Sequence, residues 1–321
     1  MLRTLIVVCS CFFLICSEAS AMFYHRTEFP TLDVRSRGTG DVNLGVTGPL
    51  SGIENPAYLN QTVNFSAQFE YSKTPHSEYL IPFIVNYRTE YGVFGLSAIY
   101  YDMGKLDVYN DLGQNEGSEH LFNVNTGIHY ANRINDNLLF GIGVGYEESF
   151  YNNGTETTFQ VGCLLTGLLS DKDDLIDDNN GLSIGISFTN IGQKNDLSWE
   201  YRKCYPPWMG KLNVSWDIIH TEDHHIILGG MFRMLLVDYH RQEIHWGDEY
   251  STGIGFEGKY GVLSIRLGYI NEFRRFDWPN RCTTIMPGFG LDFGKYYIDF
   301  STRDWFWHVT NMNWLSIGVR F

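Results

Sequence analysis

The chain has 321 residues, of which 16% are aromatic and only 19% charged, with 33 glycines and a formal net charge of −14. An acidic chain without a basic patch excludes nucleic-acid binding, and a mean hydropathy of −0.19 excludes a bundle of membrane helices. The charged fraction is nonetheless low for a water-soluble surface. A membrane β-barrel reconciles these values, because only every second residue of its strands meets lipid.

Residues 1–21 read as a secretory signal. Arg3 supplies the charge, Leu5 to Ile15 form an apolar run too short to span a bilayer, and Ala19-Ser20-Ala21 offers a small-residue cleavage site. Cys9, Cys11 and Cys16 fall in this segment, so the mature chain keeps Cys163, Cys204 and Cys282. An odd number rules out a full disulfide framework. Cys204 and Cys282 both fall in expected outer loops, and one bridge between them is compatible with an oxidising compartment.

Residues 22–61 lack sustained alternation and are dense in turn formers, as in Arg35-Ser36-Arg37-Gly38-Thr39-Gly40-Asp41. They are expected to form a hatch or plug ahead of the barrel. Asn55-Pro56-Ala57 is its rigid turn, because Asn bonds local backbone and Pro fixes φ. It reads either as a gate in the lumen or as an anchor for the hatch.

From Thr62 to the end, residues 62–321, the chain settles into period two. Phe65, Ala67, Phe69 and Tyr71 alternate with Ser66, Gln68, Glu70 and Ser72; Ile128 and Tyr130 alternate with Gly127 and His129; Ile254 and Phe256 alternate with Gly253, Gly255 and Glu257. The pattern predicts about fourteen antiparallel strands, starting near Thr62, Glu78, Gly92, Leu121, Leu138, Thr157, Gly181, Pro207, His225, Tyr250, Val262, Thr284, Lys295 and Asn313. Alternate connections are short, as at Glu90-Tyr91-Gly92 and Lys259-Tyr260-Gly261. The intervening ones are longer, as at Met103 to His120 and Val237 to Glu249. Short turns belong to the periplasmic side and long loops to the outside. The last strand, Trp314 to Phe321, puts Leu315, Ile317, Val319 and Phe321 on one face and ends on an aromatic residue, as bacterial outer-membrane barrels do.

Several groups invite a functional reading. Trp208, Arg275, Phe276, Trp278, Trp305 and Trp307 cluster in three outer loops. They suit either a docking surface for a ligand or partner or an aromatic girdle at headgroup level. Glu70, Arg88, Glu257, Arg266, Asp299 and Arg320 fall on the polar rows. They are expected in the lumen, paired across it, either as a wet interior or as a selective path. His220, His224 and His225 sit on a hairpin turn and Asp171 to Asp178 on an acidic turn. Neither has the spacing of a metal site, so no metal or cofactor is expected. No His-Glu-x-x-His motif occurs, and no catalytic residue is assigned.

Four segments taken in order carry a family resemblance: Gly38 to Leu59 with its Asn55-Pro56-Ala57, Tyr100 to Leu106, Tyr130 to Gly145, and Gly181-Leu182-Ser183-Ile184-Gly185 followed by Thr189-Asn190-Ile191-Gly192. With these the chain resembles the PorV/PorQ family of outer-membrane proteins, related to FadL-like transporters. The resemblance implies a fourteen-stranded barrel with an N-terminal hatch in the bacterial outer membrane, surrounded by outer-membrane lipid. FadL-like members pass hydrophobic compounds such as fatty acids. PorV-like members bind secreted cargo in type IX secretion. The resemblance therefore implies uptake of hydrophobic small molecules, with a secretion shuttle or a purely structural barrel as the alternatives.

Overall fold

The computed structural model describes residues 32–44, 48–73, 78–109, 113–149, 154–168, 181–192, 208–221, 224–236, 250–273, 281–303 and 312–321. The first stretches form three short elements: α1 (Val34–Gly38), α2 (Ser51–Glu54) and a 3-10 turn (Pro56–Gln61). Strands follow: β1 (Phe65–Lys73), β2 (Tyr79–Thr89), β3 (Gly92–Tyr109), β4 (Asn115–Arg133), β5 (Leu138–Ser149), β6 (Gly154–Leu168) and β7 (Leu182–Gly192). The second half adds β8 (Met209–His220), β9 (His224–Leu235), β10 (Tyr250–Tyr260), β11 (Leu263–Phe273), β12 (Arg281–Asp292), β13 (Tyr296–Arg303) and β14 (Met312–Arg320).

Every strand pairs antiparallel with its sequence neighbours, and β1 pairs with β14, so fourteen strands close into a barrel. The seam is tight at its end: Phe65 N donates to Phe321 O at 3.0 Å and Phe321 N to Phe65 O at 2.8 Å. Closure matters because an open edge would leave a row of backbone donors and acceptors without partners in hydrocarbon.

The period-two pattern sorts the two faces. Ile128, Ile142, Phe159, Ile254, Ile265 and Leu267 point outward and are exposed, while Gln68, Glu70, His129, Ser187, Ser251 and Glu257 point inward and are buried. An apolar outside around a polar inside is the inverse of a soluble fold and marks a transmembrane barrel. Tyr87, Tyr91, Trp216, Tyr260, Phe293 and Phe321 lie exposed toward the short-turn end, where amphipathic rings meet headgroups.

One expected loop is corrected. Met103 to His120 is expected as an outer loop, yet β3 runs on to Tyr109 and β4 begins at Asn115. These strands are 18 and 19 residues long, nearly twice the roughly 9–11 that cross a bilayer. β2 leaves β3 at Asp102, and β5 leaves β4 at Asn123. The remainder is therefore a two-stranded ribbon standing beyond the barrel. It has no lipid to face, so its residues carry no apolar alternation, which is why period two does not reveal it. A register shift between Asp102 and Gly104, with Gly104 at φ 83°, bends the chain where the ribbon departs.

The outward face is predicted to be intolerant of charge in its middle. Ile254→Arg, near the centre of β10, should destabilise the barrel by about 2–4 kcal/mol in bilayers. Ile134→Arg, on a turn, should change stability by under about 0.5 kcal/mol. Urea titration of chain refolded into liposomes reads both.

Candidate functional site

The lumen is occupied by residues 32–44 and 48–61, which dock on opposite walls. Val42 and Leu44 pack with Ile227, Met231, Ile270 and Met286 of β9, β11 and β12. Leu32, Leu50, Ile53 and Leu59 pack with Leu80, Ile84, Val93, Tyr101 and Ala131 of β2, β3 and β4. Ala57 and Tyr58 pack with Leu139 and Leu164, and burial pushes the Tyr58 phenol pKa up. Inward apolar residues thus gather where hatch segments touch the wall, and the polar rows take the rest.

Backbone fits against backbone at two seats. A Cβ at Gly268, Gly253 or Gly255 would strike the main chain of Thr39 and Gly40, and one at Gly141 would strike Pro56 and Ala57. A Cβ at Gly162 would meet the Asn55 side chain, and one at Gly185 the Tyr58 hydroxyl. Gly40 itself adopts φ 73°, a left-handed conformation that favours glycine. Asp33 ties the hatch together: it is fully buried and accepts from Ser36 Oγ at 3.0 Å, Ser51 Oγ at 3.0 Å and Gln68 Nε2 at 3.1 Å.

The predicted lumen charges are buried or half-buried, but they pair with the hatch and with nearby strands rather than across the lumen. The hatch fills the space between the walls. Glu257 accepts from Arg35 Nε at 2.8 Å and from Arg266 Nε at 2.6 Å. Arg266 Nη1 also donates to Asp299 Oδ1 at 2.5 Å. Arg37 Nη1 lies 3.4 Å from Glu70 Oε1, with its guanidinium 4.6 Å from the centre of the Trp314 ring. Arg88 donates to Asn60 Oδ1 at 3.1 Å and to Thr62 O at 2.8 Å. Arg320 lies instead at the short-turn rim, where it donates to both oxygens of Asp292 at 2.6 and 2.7 Å.

Asn55, Pro56 and Ala57 are buried in the lumen. Asn55 Oδ1 accepts from Ala57 N at 3.1 Å, capping the 3-10 turn, while Asn55 Nδ2 donates to Cys163 O at 3.3 Å and Ile186 O at 3.4 Å. This turn is therefore stitched to β6 and β7. Among the proposed loop contacts, Trp208 is half-buried just before β8. Arg275, Phe276, Trp278, Trp305, Trp307 and Cys204 lie outside the described residues, as does the side chain of Cys282. Cys163 is a free thiol.

Above the hatch, toward the long-connection end, lies a cavity of about 170 Å³. Leu32, Ile53, Leu80, Ile99 and Tyr101 make an apolar wall, and Asn123, Asn125, Thr158, Gln160, Ser187 and Thr189 make a polar one. Lys211 and Glu54 meet on its floor at 2.7 Å. Asn123, Asn125, Ser187 and Thr189 fall on polar rows of the alternating pattern, but nothing in that pattern joins them into a site. Lys211 and Glu54 were missed, because their pairing depends on how the hatch seats.

No family model matches the chain, and no curated protein is similar to it in sequence. Solved structures are similar in fold. The toluene transporter TbuX of Ralstonia pickettii matches at 12% identity and TM-score 0.59, covering 92% of this chain and 100% of that one. The toluene transporter TodX of Pseudomonas putida matches at 11% identity and TM-score 0.56, covering 94% and 98%. A Pseudomonas aeruginosa FadL homologue matches at 11% identity and TM-score 0.55, covering 91% and 99%. At these identities the likeness establishes the fold alone, and none of these comparisons supports the PorV/PorQ assignment.

Two substitutions test the seat. Gly268→Val is expected to unseat residues 32–44 while the barrel still forms. Limited proteolysis should then cut that segment in the variant and spare it in the parent chain. Arg266→Met leaves Glu257 and Asp299 buried without their shared partner. It should cost about 3–5 kcal/mol in refolding titrations.

Proposed function

We propose that the chain is an outer-membrane channel of the FadL-like kind that admits hydrophobic small molecules. The observation that carries this reading is a barrel stoppered from within, with a partly apolar cavity held above the stopper. A general porin needs an open aqueous bore. A stoppered barrel suits ligands captured one at a time from a dilute outer phase. Such cavities bury most of a small ligand against apolar side chains and fix its orientation with a few polar groups. The fold shared with two toluene transporters and a FadL homologue supports the same reading.

In this reading a ligand enters from the long-connection end and rests against Leu32, Ile53, Leu80, Ile99 and Tyr101. It goes further only when part of the hatch gives way. Ile53 in the apolar wall and Glu54 on the floor belong to the hatch, so ligand contact and hatch position are linked. The glycine seats hold the two hatch segments against the wall, and Asp33 and Glu54 tie the segments to each other, so displacement of one is linked to the other.

Planar-bilayer recording tests the stopper. The intact chain should show little ion conductance, and a variant lacking residues 32–61 should conduct steadily. Liposomes containing the intact chain should take up toluene faster than empty ones. Equal conductance of the two chains, or uptake no faster than in empty liposomes, would contradict the reading.

A further inference from the structure

The cavity's polar wall specifies more than a hydrocarbon. We infer that its ligand is amphipathic, with an apolar body and a neutral hydrogen-bonding end such as a hydroxyl, and that Ser187 and its neighbours on β4, β6 and β7 receive that end. This deepens the channel reading above and rests on it.

Three observations lead there. First, beside Leu80, Ile99 and Tyr101 the cavity is lined by uncharged donors and acceptors on three strands: Asn123 and Asn125 on β4, Thr158 and Gln160 on β6, and Ser187 and Thr189 on β7. A cavity for toluene alone gains nothing from such a patch, because a ligand without polar groups strips its water and returns no hydrogen bond.

Second, polar atoms of this wall are buried and unused. Ser187 is 1% exposed and its Oγ has no hydrogen-bond partner. Asn123 Oδ1 is likewise buried and unsatisfied, although its amide nitrogen donates to Glu147 at 3.4 Å. Buried polar atoms are nearly always satisfied by protein, water or ligand, so Ser187 and Asn123 keep hydrogen-bonding capacity for something that enters the cavity.

Third, the surrounding charges disfavour an anionic end. The cations at the cavity are already engaged: Lys211 lies 2.7 Å from Glu54, and Arg233 faces Glu272 at 3.6 Å and Asp41 at 3.7 Å. Glu147 and Glu156 sit opposite each other across β5 and β6 and both line the cavity. A ligand carboxylate placed beside Ser187, which faces Lys211 in the β7–β8 register, would have to share that cation with Glu54. A hydroxyl carries donor and acceptor with no such cost.

The test uses three probes that share one ring: toluene, benzyl alcohol and benzoate. Binding to the intact chain in detergent is measured by calorimetry, with each affinity referred to that probe's own partition into micelles. On that scale benzyl alcohol should bind about fivefold tighter than toluene, the worth of one net hydrogen bond. It should bind more than tenfold tighter than benzoate. Ser187→Ala should lower benzyl alcohol affinity about fivefold and leave toluene unchanged, with unaltered heat-modifiable mobility showing that the barrel has formed. Toluene or benzoate binding as well as benzyl alcohol would overturn the neutral polar end while leaving a hydrophobic channel standing. Ser187→Ala weakening both neutral probes equally, or neither, would overturn the assignment to this wall. If none of the three probes binds, the channel reading fails and this inference fails with it.

Discussion

Hydrocarbon offers a peptide group nothing to bond with, and that constraint organises the whole molecule. A chain that crosses lipid with strands must pair every strand on both sides. Fourteen strands achieve this here by joining β1 to β14. Once the sheet is shut, its outer face must be apolar and its inner face is freed from that demand. The alternation of Ile254 and Phe256 with Gly253, Gly255 and Glu257 follows directly.

Closure creates a second problem, which the first segment of the described chain solves. The bore of a fourteen-stranded barrel is too wide for wall side chains alone to fill, and the hatch occupies it. Two features let an irregular backbone sit flush against a sheet. Glycines on the inner face remove the Cβ atoms that would hold the hatch away, most clearly Gly268 beneath Gly40 and Gly141 beneath Pro56. Charges supply direction: Arg35 reaches Glu257, which Arg266 also holds. Buried ion pairs contribute little net stability against an apolar alternative, but removing one member is costly. The network therefore fixes where the hatch sits more than how stable the barrel is. The cavity is what remains between this seated hatch and the upper wall.

Much of the barrel was legible in the sequence because lipid imposes a strict rule on alternate residues. Wherever a strand met that rule, its start was readable to within a few positions, as at Gly92, Leu138 and Tyr250. Where the rule lapsed, the reading failed. The ribbon built from the far ends of β3 and β4 stands clear of lipid and looked like a loop. Inward Leu80, Ile84 and Met286 face hatch rather than water, so they interrupt the polar rows without announcing a strand break. The hatch was visible as a departure from period two, and Asn55-Pro56-Ala57 as its stiff turn. Its placement was not visible, because contacts such as Asn55 to Cys163 and Lys211 to Glu54 span more than a hundred residues. For the same reason the cavity residues appeared only as separate members of several strands.

The account depends most on the two faces of the strands meeting two different media. Spin labels placed one at a time along residues 250–257 of a cysteine-free chain in liposomes, read for oxygen accessibility, test this directly. Accessibility should peak at 252, 254 and 256 and fall at 251, 253, 255 and 257. A profile without alternation, or one with a period near 3.6, would contradict a lipid-embedded barrel and everything built on it.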